Sequence, residues 1–278
     1  MPTAILGKTG MLGSEVEKFF LENNQEIIST SRKELDAQHC SEDDIVKVVK
    51  DCEYVINCIG IIKSYIHDDD SREVERAVEV NALFPHKLAR ACGITGSKLI
   101  QIATDCVYDG VKGSYIETDR HNPIDVYGKT KSLGEVNSDN VLNLRCSIIG
   151  REQKNYLSLL EWFLNQPKNA KVKGFKNHLW NGVTTRAFAK ICFGIIRSNT
   201  YFAGLQHVVP EGIVSKAQML HIFKDVFDRD DIDIQDIDAE IEIDRTIGTT
   251  RKDKNKALWQ NAGYSEIPTV EEMIQHYF

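Results

Sequence analysis

The feature that most constrains this chain is a glycine-spaced turn, Gly7-Lys8-Thr9-Gly10-Met11-Leu12-Gly13, placed directly behind the short apolar run Thr3–Leu6. Glycines at these intervals let the backbone leave a strand through a tight turn and let the following helix start close to it. The helix N-terminus then offers free N–H groups and a positive dipole end to a pyrophosphate. The spacing is Gly-x-x-Gly-x-x-Gly rather than the commoner Gly-x-Gly-x-x-Gly. A P-loop does not fit, because Pro2 stands where that motif needs a glycine upstream of Gly7. Pro123 breaks the similar-looking Gly128-Lys129-Thr130 in the same way. The turn predicts a dinucleotide held by Gly7, Thr9, Gly10, Met11, Leu12 and Gly13.

Short apolar runs alternate with amphipathic ones through the first half of the 278 residues. Strands are expected at Thr3–Leu6, Glu26–Thr30, Tyr54–Ile59, Lys98–Ala103 and Val141–Arg145. Helices are expected at Met11–Leu21, Asp43–Val49, Glu73–Ala91 and Asp125–Val136. Such alternation predicts an α/β fold, a doubly wound parallel sheet covered by helices on both faces. The pattern loosens after Gly150. Helices are expected there at Tyr156–Leu164, Thr185–Arg197, Ser215–Phe227 and Val270–His276, with strands at Ala170–Val172, Gln206–Val209 and Ile241–Asp244. We therefore divide the chain into a sheet domain over 1–150 and a smaller, interleaved C-terminal lobe over 151–278, with segments near 184–210 completing the sheet. The acidic run Asp225–Asp244 lacks the central glycine of a calcium loop and reads as a solvated surface.

A formal net charge of -7 gives no electrostatic reason to expect nucleic-acid binding. No apolar run is long enough to span a membrane. The seven cysteines contain no Cys-x-x-Cys pair, so no metal site is expected, and free thiols suit a cytoplasmic location.

Two further segments carry the chemistry. The second strand ends in Ser29-Thr30-Ser31-Arg32-Lys33, with no carboxylate before Glu34. An acid there accepts from a free ribose 2′-hydroxyl, whereas a base suits a 2′-phosphate. Ser31 and Arg32 thus point to NADP(H), with NAD left open. Tyr-x-x-x-Lys occurs twice. In Tyr108-Asp109-Gly110-Val111-Lys112 the Asp-Gly pair marks a turn, whereas Tyr127 and Lys131 share one helix face. An ammonium beside a phenol is expected to lower its pKa. Thr104, at the end of the fourth strand, stands where open parallel sheets bind ligands and is a hydrogen-bond donor for a carbonyl oxygen. Cys58, Ile59 and Gly60 end the third strand, where a small residue lets the backbone come close to a cofactor, and are expected to contact it. Asn81 is a polar residue in an apolar helical pattern, either a cofactor contact or a satisfied structural amide.

Together these pieces resemble the extended short-chain dehydrogenase/reductases, specifically the dTDP-4-dehydrorhamnose reductase family. The matching residues are the glycine turn, Val55-Ile56-Asn57-Cys58-Ile59-Gly60, Val80-Asn81, Thr104-Asp105-x-Val107-x-Asp109-Gly110, Tyr127-Gly128-x-x-Lys131 and Leu144-Arg145. The resemblance implies a Rossmann-type domain and NADPH-dependent reduction of the C4 ketone of a nucleotide-linked 4-keto-6-deoxysugar. Tyr127 would protonate the oxygen, Lys131 would support the phenol and hold the nicotinamide ribose, and Thr104 would bond the carbonyl. It places Asp105, Cys106, Val107, Asn155, Trp180 and Arg245 with Thr104 and Tyr127 around the substrate. The chain departs from the family at Trp180-Asn181-Gly182-Val183-Thr184-Thr185, where many members carry Gly-x-Pro-Thr, and at Cys106, where an aromatic residue is common. Those departures leave the sugar and nucleotide open, dTDP- or UDP-linked and with or without a 2-acetamido group. A homodimer, an NAD-dependent nucleotide-sugar epimerase and a regulatory subunit of the same family stay open as well.

Overall fold

The computed structural model of the protein describes residues 1–277. Five parallel strands form first: β1 (Thr3–Leu6), β2 (Ile27–Thr30), β3 (Tyr54–Asn57), β4 (Lys98–Ala103) and β5 (Val141–Arg145). A sixth, Gly204–His207, adds beside β5, giving the order β2-β1-β3-β4-β5 and then Gly204–His207. Every pairing in this sheet is parallel. β1, β3 and β5 are buried throughout, as expected for strands covered on both faces. The chain reverses its winding direction between β1 and β3, and the crevice beyond that point is where such sheets bind ligands.

Helices α1 (Met11–Glu22) and Thr185–Arg197 pack on each other over one face. Their apolar contacts include Phe20 with Phe193, an edge-on pair with ring centroids 5.3 Å apart. On the other face lie α2 (Glu42–Val49), α3 (Ser71–Ala77) and α4 (Phe84–Thr95). Ile45, Val49, Phe84, Leu88 and Cys92 form the core there with Ala4, Leu6 and Val55 of the sheet. α2 starts at a reciprocal Ser41/Asp44 capping box.

Three expectations are corrected. The single helix expected over Glu73–Ala91 is α3 and α4 joined by a wide π-helical turn, Val78–Leu83, with Pro85 in the first turn of α4. The helix expected from Tyr156 begins at Leu159, because Asn155 and Tyr156 both adopt positive φ, 68° and 53°. The acidic run contains a strand, Asp233–Ile237, parallel to Lys171–Phe175. Its carboxylates face out, which is why the run reads as solvated. Remaining strands pair in short ladders: His178–Trp180 with Val214–Ser215 and Ile243–Asp244, and Ile148–Ile149 with Val183–Thr184. The helix Lys252–Asn261 has no counterpart in the sequence reading.

Candidate active site

α5 (Val126–Leu133) carries Tyr127 and Lys131. Asp125 caps it by accepting from the Gly128 N–H at 2.8 Å. Gly128 is a requirement of packing: a Cβ there would lie 2.2 Å from the Cys106 carbonyl oxygen. The missing side chain lets α5 press against the Thr104–Cys106 turn, and so brings Tyr127 beside Thr104. The Thr104 hydroxyl accepts from the Cys106 N–H and donates to Asp105 Oδ1, both at 3.2 Å.

Thr104, Tyr127 and Lys131 line one cleft of about 370 Å³, along with Gly10, Met11, Leu12, Cys58, Ile59 and Gly60. A second hollow, about 200 Å³, continues from Gly7, Thr9 and Gly10 to Arg32 and Asp36, and shares Cys58–Ile61 with the first. The helix end facing both hollows is bare. α1 has Gly10 at its N-cap, no side-chain cap and no acid in its first turn. Gly13 lies under the turn, where a Cβ would sit 2.1 Å from the Gly7 carbonyl oxygen. Uncapped N–H groups, a glycine floor and one continuous trough fit a dinucleotide whose pyrophosphate rests on α1.

Burial dominates the electrostatics. It pushes the Tyr127 phenol well above its ordinary pKa, against a hydrogen bond with Thr104 that works the other way. It pulls the Lys131 ammonium down to about 8, with Glu135 opposing. Lys131 Nζ donates to the Ile102 carbonyl at 3.0 Å. The sequence reading expected the ammonium to depress the phenol. Here desolvation sets the direction and the only opposing contribution is the Thr104 hydrogen bond, so Tyr127 is held protonated. The other Tyr-x-x-x-Lys match is structural. Tyr108 is buried, stacked on Tyr115 at 4.1 Å, and its hydroxyl donates to the Ile116 carbonyl at 3.0 Å.

Several residues named from sequence lie elsewhere. Val107 is fully buried with Tyr108, Tyr115 and Ile247 in a small core, outside the cleft. Arg245 Nε donates to the Tyr108 carbonyl at 2.9 Å, placing the guanidinium behind Asp105 instead of on the cleft lining. Asn155 donates to the Tyr65 hydroxyl at 2.6 Å and does not line the cleft. Ser31 is engaged through both N–H and hydroxyl by the Glu34 carboxylate, at 2.6 and 2.5 Å. Asn81 is a buried clamp whose amide bonds both the N–H and the carbonyl of Ile61, at 2.8 and 2.9 Å. It shapes the Cys58–Ile61 segment from behind. Asp105, Cys106 and Trp180 do line the cleft. So do Ser147 and Lys216, which the sequence did not single out. Ser147 holds the Trp180 indole N–H at 2.8 Å.

The helix that carries Tyr127 and Lys131 is tied down by a buried cation. Arg145 is fully buried and all five of its N–H donors are used. Nε and one Nη2 hydrogen reach Glu135 at 2.9 and 2.5 Å, and the other Nη2 hydrogen reaches His121 at 2.7 Å. Nη1 donates to Tyr108 and His207 at 2.6 and 2.8 Å. Each histidine accepts at Nε2, so each is neutral with its proton on Nδ1, bonded to Ser132 or to the Gly248 carbonyl.

Known proteins resemble this chain in sequence and in fold. Residues 1–258 match the model of the RmlD substrate binding domain, and the chain belongs to that family. A dTDP-4-dehydrorhamnose reductase of Aggregatibacter actinomycetemcomitans is 30% identical over 223 residues, 76% of this chain and 74% of that one. The methionine adenosyltransferase 2 subunit beta of Danio rerio is 31% identical over 138 residues, 47% of this chain and 41% of that one. The chain spans only 39% of the length of the Mycolicibacterium smegmatis reductase it matches. Among solved structures, the Bacillus anthracis dTDP-4-dehydrorhamnose reductase in complex with NADP superposes with a TM-score of 0.81, at 20% identity, over 100% of this chain and 99% of that one.

Proposed function

We propose that the protein is an NADPH-dependent reductase of the C4 ketone of a nucleotide-linked 4-keto-6-deoxysugar, supplying an activated deoxysugar for glycan synthesis. The observation that carries this reading is the single cleft that joins Thr104, Tyr127 and Lys131 to the bare N-terminus of α1. The reductases among its relatives support the reaction class.

Gly7–Gly13, Cys58–Gly60 and Arg32 would hold the cofactor, which when bound supplies hydride to the C4 carbon. This chain does the rest. Tyr127, kept protonated by burial, gives its proton to the oxygen as negative charge develops there. Thr104 turns its hydroxyl from Asp105 to the same oxygen, a bond that strengthens as the charge grows. Lys131, fixed by the Ile102 carbonyl, opposes the charge left on the phenol. Ile59, Ile102, Ile148 and Leu159 give the cleft apolar walls that limit water around the transferred hydride.

The sugar is linked to dTDP or UDP, with or without a 2-acetamido group, in this reading. Loss of NADPH absorbance with a panel of such keto-sugars tests it, with Tyr127→Phe beside wild type. Turnover that disappears in the variant is the expected result, and no turnover on any member refutes it. A regulatory role is the second reading, favoured by the match to the methionine adenosyltransferase subunit. Stable co-purification with a larger enzyme, without turnover of any keto-sugar, would establish that role instead.

A further inference from the structure

Lys216 opens the helix Lys216–Val226, immediately after its N-cap. Ser215 accepts from the Gln218 N–H at 3.1 Å while the Gln218 side chain accepts from the Ser215 N–H at 2.7 Å. That box fixes the backbone at Lys216 without using its side chain. The side chain instead lines the cleft, with Nζ 5.8 Å from the centre of the Trp180 ring. Among the described residues it makes no hydrogen bond, and no carboxylate stands within ion-pair distance of it.

Asp105 is on the same cleft, buried, its Oδ1 accepting from Thr104. The two charges feel each other. Burial lowers the lysine's pKa, which Asp105 opposes, and raises the aspartate's, which Arg245 opposes first and Lys216 second. Yet they do not meet. Asp105 already has Arg245 and the Thr104 hydroxyl beside it, so it is the desolvated Lys216 ammonium that is left without an acceptor, a cost a ligand group on the cleft would relieve. Lysine only donates and an ionised aspartate only accepts. A group that accepts from one and donates to the other satisfies both, and a sugar hydroxyl or an acylamino group has that character. A substituent carrying a full negative charge would meet Asp105, and a cationic one would meet Lys216.

We propose that Lys216 is a specificity-determining residue whose ammonium donates to a neutral hydrogen-bonding ring substituent of the sugar, with Asp105 accepting from the same substituent. The proposal rests on the keto-sugar reading and deepens it. Trp180 supports the arrangement as the aromatic wall under the ammonium.

The test compares wild type, Lys216→Met and Lys216→Gln on dTDP- and UDP-linked 4-keto-6-deoxysugars. These carry a 2-hydroxyl or a 2-acetamido group, or are deoxy at C2 or at C3. Calorimetric binding of the corresponding 4-hydroxy nucleotide sugars runs in parallel. The methionine variant should raise KM at least tenfold on sugars that keep the substituent, leave kcat within a few-fold, and barely affect the one deoxy sugar that lacks it. The glutamine variant should recover part of the loss, and NADPH affinity should be the same in all three proteins. Whichever of the hydroxyl and acetamido arms shows the larger loss identifies the group. Unchanged kinetics in Lys216→Met, or an equal loss on every sugar, would overturn the proposal. If wild type binds nucleotide sugars without reducing any, the reductase reading fails while the calorimetric comparison still decides the role of Lys216. Wild type that binds none of them overturns both.

Discussion

Replacing Glu135 by glutamine should destabilise this protein far more than loss of an ordinary ion pair. Arg145 is 0% exposed and its partner's side chain only 11%. The other acceptors around the guanidinium are Tyr108, His121 and His207, all neutral. Glu135→Gln keeps the shape and removes the only carboxylate that, among the described residues, bonds the buried cation. Breaking one side of a buried pair in this way costs about 3–5 kcal/mol, because the remaining charge stays desolvated. At a urea slope of about 3 kcal/mol per molar, the unfolding midpoint falls by roughly 1–1.7 M. The double variant Arg145→Met/Glu135→Leu should lose less than Glu135→Gln alone, since it leaves no stranded charge. Urea titrations followed by circular dichroism measure all of this. A loss below about 1 kcal/mol in Glu135→Gln, or a double variant worse than the single, would refute the reasoning.

Four other outcomes follow from the same structure. His207 is buried neutral with its pKa lowered to about 4, and burial lowers His121 as well. The unfolded chain takes up these protons from about pH 6.5, so stability is complete above that pH and falls as pH drops toward 4. His207 accounts for about 3 kcal/mol of that fall, and thermal melts of His207→Gln should lack this component. Gly13→Ala should weaken NADPH binding at least tenfold in fluorescence titration, because its Cβ would strike the Gly7 carbonyl. Arg32 lines the hollow that runs on from Gly7, Thr9 and Gly10, and is paired with Asp36 at 3.2 Å. Arg32→Ala should raise KM for NADPH and leave KM for NADH nearly unchanged, whereas Asp36→Ala should sharpen the preference for NADPH. Lys131 loses its charge near pH 8, so the reduction rate should decline above that pH with an apparent pKa close to 8, and Lys131→Arg should move the decline upward.

What was legible in the sequence was the part with strong local rules. A buried apolar run followed by spaced glycines specifies β1, its turn and α1 with little ambiguity. Tyr127 and Lys131 could be chosen over Tyr108 and Lys112 because Asp109-Gly110 breaks the second pattern. Other features depend on tertiary contacts. Asn81 looked like a polar intrusion in one long helix, and only the π-helical turn shows its amide turned to Ile61. Val107 sits inside a recognisable motif, yet the 3-10 turn Asp105–Val107 points it into the core. Asp233–Ile237 escaped notice because an edge strand with outward carboxylates has no apolar signature of its own. Lys216 gave no signal beyond the serine cap before it. A lysine in the first turn of a helix normally reads as solvated, and its neighbours Trp180 and Asp105 come from distant parts of the chain.

The most direct test of the central claim is a single turnover with NADPH deuterated at the transferable position, followed by mass and proton NMR analysis of the nucleotide sugar. The account predicts one deuterium at C4 of a product alcohol, stoichiometric oxidation of the cofactor, and loss of both in Tyr127→Phe. Deuterium absent from the sugar, or an epimerised product with no net oxidation of the cofactor, would contradict it.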